Sequence, residues 1–499
     1  MKIALIDPNQ NFWETGRYCR HSQLEPIGLE YIGAIVVDDG YPVKIFHQIN
    51  ENNEKLISDV INYKPDIIGF STYTYTFNII CYFADILKRK LPETVIVAGG
   101  HHITASPEDI IDTEIDIGVY GEGDETFLEL VHTLENNLSL KQIPGIVFKN
   151  RGRIFKTESR SRIRNLDKLP TPLRNWKILN YSKVKSAVYP PASQQRSVAQ
   201  VITSRGCINN CSYCCSPQMW KKKLILRSPE NIADEFEFLH KEFGTNLIHV
   251  SDLSVNLNRD HLFKMCHSIE KRDLDVYWTA CGNIDNIDEE MIIALAKAKC
   301  KRIAFGIESL SKKTINKIKP KQNNNLNKMI KILEIVRNYG LFARGFFMIG
   351  YPWETIEDLN ELSKYMNLLP LDDIRISFLT PFPGTRIYDK YREKGLIQNY
   401  DYKNYTSEIP LIKNKYLNNT DYIKIRERLF NNFYLSNSYY QRIQKQIYRF
   451  PEYRIVYEEL FNYLRLPVLN KLSKIDTFSK NLIFEMNDNN KQNQANADL

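Results

Sequence analysis

Four of the chain's nine cysteines fall in residues 204–217, the stretch SRGCINNCSYCCSP, and Cys207, Cys211 and Cys214 stand there in a CxxxCxxC spacing. Three thiolates in one short loop converge on a metal at small entropic cost, because the loops they close are short. Structural zinc completes a tetrahedron and needs a fourth donor. Cys215 is at hand, but it adjoins Cys214 and neighbouring side chains diverge. An iron–sulfur cube offers four irons, so three thiolates leave one iron open to a further ligand. The spacing favours that cube over structural zinc or a chance run of thiols. Cys215, Cys266, Cys281 and Cys300 read instead as small buried apolar residues, Cys281 being the one placed to face a site because it ends a strand-like run.

A loop of ligands needs a strand behind it. AQVITS, from Ala199, is the first of six strand-like runs, followed by NLIHVSDL, VYWTACG, RIAFGIES, ARGFFMIG and IRISFLTP, with helical stretches between them. Six such units fit a partial (β/α)6 barrel over residues 199–395, with its reactive groups at the carboxyl ends of the strands. Residues 1–140 alternate in the same way: KIALID, PVKIFHQ, DIIGFS, TVIVAGG and IDIGVYG are apolar runs separated by amphipathic stretches. Such runs indicate a doubly wound parallel sheet whose ligands bind at the strand ends. Those ends carry Ser71, Thr72 and Tyr73, then Gly99, Gly100 and His101, then Gly121, Glu122 and Gly123. The fold class is therefore α/β, with a basic, proline-bearing linker at 141–198. A helical region at 396–485 is expected to cover the barrel mouth, and the polar stretch 486–499 to be a disordered tail.

CxxxCxxC after the first strand of a partial barrel resembles the radical S-adenosylmethionine (SAM) superfamily, and Tyr213 just before the third cysteine matches its pattern. RIAFGIESLS (residues 302–311) resembles the segment whose glutamate meets the SAM ribose, here Glu308. GFFMIGYPWET resembles the adenine-contacting fifth strand. HVSDLS implies that Ser251 and Asp252 stand near the methionine moiety. Asn283 occupies a position where many relatives carry an arginine, so Arg344 is expected to meet the SAM carboxylate instead. The resemblance implies a [4Fe-4S] cluster that reductively cleaves SAM to methionine and a 5′-deoxyadenosyl radical, with an electron supplied by flavodoxin or ferredoxin.

The N-terminal string, PIGLEYIGA, PDIIGFSTYTYTF, VIVAGGHHITASPE and GVYGEGDETFLEL, resembles the cobalamin-binding domains of the cobalamin-dependent class of that family. Carried over, Ser71, Tyr75, Gly99, Gly100, His101, Gly121 and Glu122 are the cobalamin-binding candidates, with Tyr75 under the cobalt. The DxHxxG arrangement that supplies a histidine to cobalt is absent, as in many members. The implied activity is methyl transfer to an unactivated carbon or phosphorus of a small molecule or peptide, in specialised metabolite biosynthesis. A ring-forming or ring-rearranging reaction with the same cofactors is the alternative. A non-catalytic iron–sulfur or nucleic-acid-binding protein is a third reading.

Composition bounds these readings. The chain is long enough for several domains, and no apolar run reaches the length of a membrane span. A cytoplasmic location is expected, where thiols stay reduced, and an odd cysteine count argues against a disulfide framework. Residues 401–499 hold 15 Lys and Arg against 11 Asp and Glu, which is half of the net charge of +8. Eleven of the 29 tyrosines fall in residues 401–463 at helical spacing with Ile and Leu, which favours a packed core over a stacking surface for nucleic acid.

Overall fold

The computed structural model describes residues 1–8, 25–48, 52–174, 198–319 and 325–464. The expected tail, the end of the helical region and most of the linker's second half lie outside the described residues.

Seven strands form the first sheet: β1 Ile3–Asp7, β2 Val43–His47, β3 Ile67–Thr72, β4 Val95–Gly100, β5 Ile117–Val119, β6 Ile146–Asn150 and β7 Arg153–Lys156, in the order β2-β1-β3-β4-β5-β6-β7. The first five are parallel. Successive residues of one strand enter opposite cores: Ala4, Ile6, Ile68 and Phe70 pack on one face, Ile3, Leu5, Ile67 and Val97 on the other. That two-sided burial is why the strands are continuously apolar rather than alternating. The sheet runs further than the sequence implied. β6 and β7 pair antiparallel around Arg151 (φ 50) and Gly152 (φ 73), inside the span expected as linker. A tight turn with two left-handed residues needs neither a helix nor a long apolar run, so the alternation that marks the other strands is missing there.

The second sheet is all parallel and six-stranded, in the order β15-β14-β13-β12-β11-β8. Its strands are β8 Val198–Val201, β11 Leu247–Val250, β12 Tyr277–Gly282, β13 Cys300–Glu308, β14 Phe342–Ile349 and β15 Asp373–Phe378. A small antiparallel pair, β9 Ser204–Arg205 and β10 Ile225–Leu226, follows β8. Ala199, Val201, Ile248, Val250, Trp278, Ala280, Ile303, Phe305, Phe347 and Ile349 face the surrounding helices as one core. The alternate positions, Gln200, His249, Thr279, Cys281, Arg302, Arg344 and Arg375, therefore line the other face, so the barrel interior is polar.

β8 and β15 are not paired, and the β8 edge is covered from the N-terminal domain. Arg174 donates to the Gln200 carbonyl, and the Glu25 carboxylate accepts the Gln200 N–H. Polar groups placed there satisfy the ladder of an edge strand.

Helices Asn419–Tyr434, Asn437–Arg449 and Tyr453–Leu464 follow the barrel. They do not roof the mouth. Tyr453 OH donates to Gly340 O at 2.6 Å, Tyr439 OH to Asp372 O at 2.7 Å and Tyr434 OH to Asp373 Oδ1 at 2.6 Å. Gly340 and Asp372 precede β14 and β15, so these helices reach the amino end of the barrel, the first of them running there from beside the loop after β14, where Tyr422 OH meets Glu354. Their tyrosines are core residues with hydroxyls that reach polar partners, as buried tyrosines must. The mouth is met by the chain before them: Tyr402 OH donates to Asp109 of the first domain at 2.8 Å, and Asn78 donates to Asp401 at 2.9 Å.

Candidate active site

Cys207, Cys211 and Cys214 sit half-buried on the loop after β9. The loop enters through Gly206, at φ +109, where a Cβ would stand 2.0 Å from the Lys223 carbonyl, so only glycine fits. It is held by the helices Lys312–Ile318 and Arg386–Glu393: Ser212 N–H donates to Ile318 O at 3.0 Å, and Ile387 N–H donates to Ser212 O at 3.2 Å. Backbone N–H groups of Asn209 and Ser216 each point at a sulfur, of Cys207 and Cys214, at 3.4 Å. Burial pushes the Cys214 thiol up to about 11 and raises Cys211, with Lys319 acting against the rise at Cys211. Thiolates so buried require a cation, and a bound metal supplies one. Among the described residues no three His, Cys, Asp or Glu side chains are gathered as tightly as one metal ion requires. A cube takes each thiolate on a different iron and leaves the fourth iron open to a further ligand.

Glu308 ends β13 beside this loop. Its φ of 65 is left-handed in a residue with a side chain, a strain of the kind that costs about 1–3 kcal/mol and gathers at functional sites. Its Oε1 accepts from Tyr213 OH at 3.0 Å and from Lys319 Nζ at 3.3 Å, while Lys319 also donates to Gly306 O at 3.0 Å. The strand-end glutamate and the cysteine loop are thereby one hydrogen-bonded unit. Lys319 was not marked by the sequence reading; its position at the end of the helix Lys312–Ile318 carries no local signal.

Three expected SAM contacts stand differently. Both Asp252 oxygens are engaged within the protein, Oδ1 by Thr203 N–H at 2.7 Å, Oδ2 by the Thr203 and Ser204 hydroxyls. Asp252 thus fixes the lead-in to the cysteine loop. Ser251 Oγ donates to Gln200 Oε1 at 2.7 Å inside the barrel. Arg344 forms an ion pair with Asp373, the first residue of β15. It lies three residues before Phe347, the register partner of Glu308, hence about 10 Å back along the strand. Its guanidinium is thereby paired inside the barrel. Cys281 shares this interior: burial raises its thiol, and Arg302 and Arg344 oppose the rise.

At the end of the first sheet, Ser71 pairs with Gly99 and Thr72 with Gly100. Gly100 is at φ +96, and a Cβ there would stand 2.8 Å from both the N and the O of Thr72. His101 follows, opening the short helix His101–Ala105. Tyr73, placed at a strand end by the sequence but outside the expected cobalamin set, stacks between His101 (5.4 Å, 13°) and Tyr75 (5.7 Å, 14°). Tyr73 keeps 44 % of its surface open although protein crowds it on most sides, as the wall of a cleft does. Burial lowers the His101 pKa and keeps the imidazole neutral. A three-ring shelf beside side-chain-free backbone suits a large flat ligand, which is how cobalamin would be accommodated here. Gly121 N–H donates to Thr104 Oγ1 at 3.0 Å. Glu122 does not join this group. Its carboxylate is held by Arg162, Arg205 and the Ile163 N–H, so it ties the first domain to the barrel.

The two strand-end regions adjoin. Thr104 Oγ1, from the helix after Gly100, is 3.4 Å from Met219 Sδ, on the helix Ser216–Trp220 that follows the cysteines. Arg205, two residues before Cys207, pairs at 2.7 and 3.0 Å with Asp124, the first residue of the helix Asp124–Glu135 that follows β5.

Family models agree with this division: the radical SAM superfamily matches residues 201–366 and the B12 binding domain residues 16–131. The uncharacterized methyltransferase PH0819 of Pyrococcus horikoshii is 30% identical over 419 residues, covering 82% of this chain and 87% of that protein. The anaerobic magnesium-protoporphyrin IX monomethyl ester cyclase of Rubrivivax gelatinosus is 24% identical over 424 residues, 83% of this chain and 74% of that one. Among solved structures, the radical S-adenosylmethionine methyltransferase TsrM of Kitasatospora setae, with cobalamin and a [4Fe-4S] cluster bound, has the same fold. It superposes with a TM-score of 0.66 at 17% identity, over 79% of this chain and 78% of that chain. Matches to both domains in this order, and a relative so similar across most of both chains, place the chain in the cobalamin-dependent radical SAM family, as an enzyme whose cofactors are a [4Fe-4S] cluster, SAM and cobalamin.

Proposed function

We propose that this enzyme transfers a methyl group to an unactivated carbon, or a phosphorus, of a small molecule or peptide, in specialised metabolite biosynthesis. The observation that carries the reading is the contact between Thr104 and Met219, which sets the cobalamin-side strand ends against the helix after the cysteines. Together the bound cofactors supply a radical able to remove hydrogen from carbon and a methyl group to replace it. Cys207, Cys211 and Cys214 would hold the cluster, with Tyr213 and Glu308 beside SAM. Ser71, Tyr75, Gly99, Gly100, His101 and Gly121 would seat cobalamin, with Tyr73 completing the aromatic shelf. The electron comes from a flavodoxin or ferredoxin, and the enzyme works in the cytoplasm, where the three thiols stay reduced.

The relative named as a cyclase keeps ring closure as the competing outcome. The test is anaerobic purification with cobalamin supplied, then iron and cobalt analysis, SAM cleavage under reductant and product mass. Iron and cobalt together, with 5′-deoxyadenosine formed and a product heavier by one CH2 unit, support methyl transfer. A product without that gain supports ring closure. Cys211→Ala is expected to purify folded and without iron, whereas Cys281→Ala keeps its iron; iron retained in Cys211→Ala would sink the assignment of ligands.

A further inference from the structure

Directly beyond the cysteine loop, the chain carries Lys221, Lys222 and Lys223 in succession, all exposed. Lys221 (φ 47) and Lys222 (φ 56) are both left-handed, a conformation in which side-chain-bearing residues are uncommon. The turn is built, not loose. Arg162 donates one N–H nitrogen to the carbonyls of Trp220, at 3.1 Å, and Lys223, at 2.8 Å, and lays its guanidinium over the Trp220 ring. The Lys223 carbonyl is the atom against which Gly206 packs, and Gly206 precedes Cys207. Among the described residues none of the three ammonium groups is within ion-pair distance of a carboxylate; Lys221 reaches only the Arg160 carbonyl, at 3.3 Å. Ile208, between cluster ligands and 56% exposed, adds an apolar point on the cysteine loop itself.

We propose that this lysine turn, with Ile208, is the docking surface for a small acidic one-electron carrier protein. The inference rests on reading the three cysteines as cluster ligands and adds where the electron enters. Opposite charge steers the encounter, and an apolar contact beside it fixes the pose. In the step itself the reduced carrier loses one electron and the cluster gains it; no atom is exchanged. The surface lies one residue from the first ligand, so the docked carrier needs no intermediate redox group within this chain.

The experiment uses the reconstituted full-length enzyme and the variant K221E/K222E/K223E, mixed anaerobically with reduced flavodoxin in one arm and dithionite in the other. Cluster reduction is followed by absorbance and by its electron paramagnetic resonance signal. Iron content and the oxidised spectrum are recorded first, so that loss of the cluster is distinguished from loss of docking. The expected result is an unchanged rate with dithionite and a fall of about 10-fold or more with flavodoxin, together with loss of the salt dependence shown by the wild type. K221Q/K222Q/K223Q should fall in between. Equal flavodoxin rates and salt slopes in wild type and variant overturn the proposal. So does an equal fall with dithionite at full iron content, since the turn would then be supporting the loop rather than docking a partner.

Discussion

Glu354 is a buried carboxyl whose Oε2 accepts three donors, Gly350 N–H at 2.7 Å, Tyr351 N–H at 3.3 Å and Tyr422 OH at 3.2 Å. Burial outweighs them and pushes its pKa to about 8. A carboxyl raised in the folded state binds a proton that the unfolded chain has released. Its contribution to stability is therefore complete below the unfolded value and is lost as pH rises towards and through 8. Glu354→Gln keeps the accepting oxygen and removes the titration. The melting temperatures of the two proteins should lie close at pH 5, with the variant the more stable by pH 9; a gap independent of pH would show that the group does not titrate in this range. At this scale, spacing marked the three cysteines and the family resemblance pointed to Tyr213 and Glu308, because each belongs to a local pattern. Asp252, Glu122 and Arg344, expected at ligands, have side chains held by other parts of the protein. Each is engaged by residues distant in sequence, 49 positions away for Asp252 with Thr203 and 83 for Glu122 with Arg205. No local pattern encodes such partners.

The end of β4 turns on two glycines, and the second cannot be replaced. A methyl group on Gly100 would meet both backbone atoms of Thr72 at 2.8 Å, and the φ of +96 is unfavourable for any side chain. Gly100→Ala should therefore displace the helix His101–Ala105, with a stability loss of about 1–3 kcal/mol. Because His101 begins that helix and stacks on Tyr73, the shelf moves with it. The expected outcome is a lower melting temperature and cobalamin retention reduced at least tenfold, read from cobalt content, while iron content stays at the wild-type level. Unchanged cobalt would remove the β4 end from the cobalamin site. Elements of this kind were legible where burial writes itself into composition. The first five strands of the N-terminal sheet are mostly apolar runs, and the six barrel strands carry apolar residues at their helix-facing positions. The β6–β7 hairpin was not, since β7 is mostly exposed and its signal is only a turn. The C-terminal helices were legible as helices, but a tyrosine stripe does not say which end of a barrel it closes.

The domains are joined through charge. Arg174 is 1% exposed and pairs with Glu25, Glu30 and Glu235, and Glu235 also takes Arg227. Three carboxylates thus share two guanidinium groups where the first domain covers the β8 edge. Burial raises Glu25, and burial together with the Glu25 charge raises Glu30 well above the usual carboxylate range. Arg174→Met retains the apolar volume but strands Glu25 and Glu30 without their cation and frees the Gln200 carbonyl. Breaking a buried ion pair by removing one partner costs about 3–5 kcal/mol. The loss must depend on pH. Without the arginine both carboxyls prefer the protonated form still more strongly, so the folded state holds protons that the unfolded chain releases, and stability falls as pH rises. Urea unfolding at pH 5.5 and pH 8 should find the variant's deficit small at the lower pH and large at the higher one. A deficit equal at both would mean that the lost hydrogen bond to β8, rather than the stranded carboxylates, carries the effect. The cluster also couples assembly to chemistry. Glu25 and Arg174 hold β8, and β8 leads through Arg205, itself fixed by Asp124, into the cysteine loop, so loosening the domain contact should lower iron retention in step with stability.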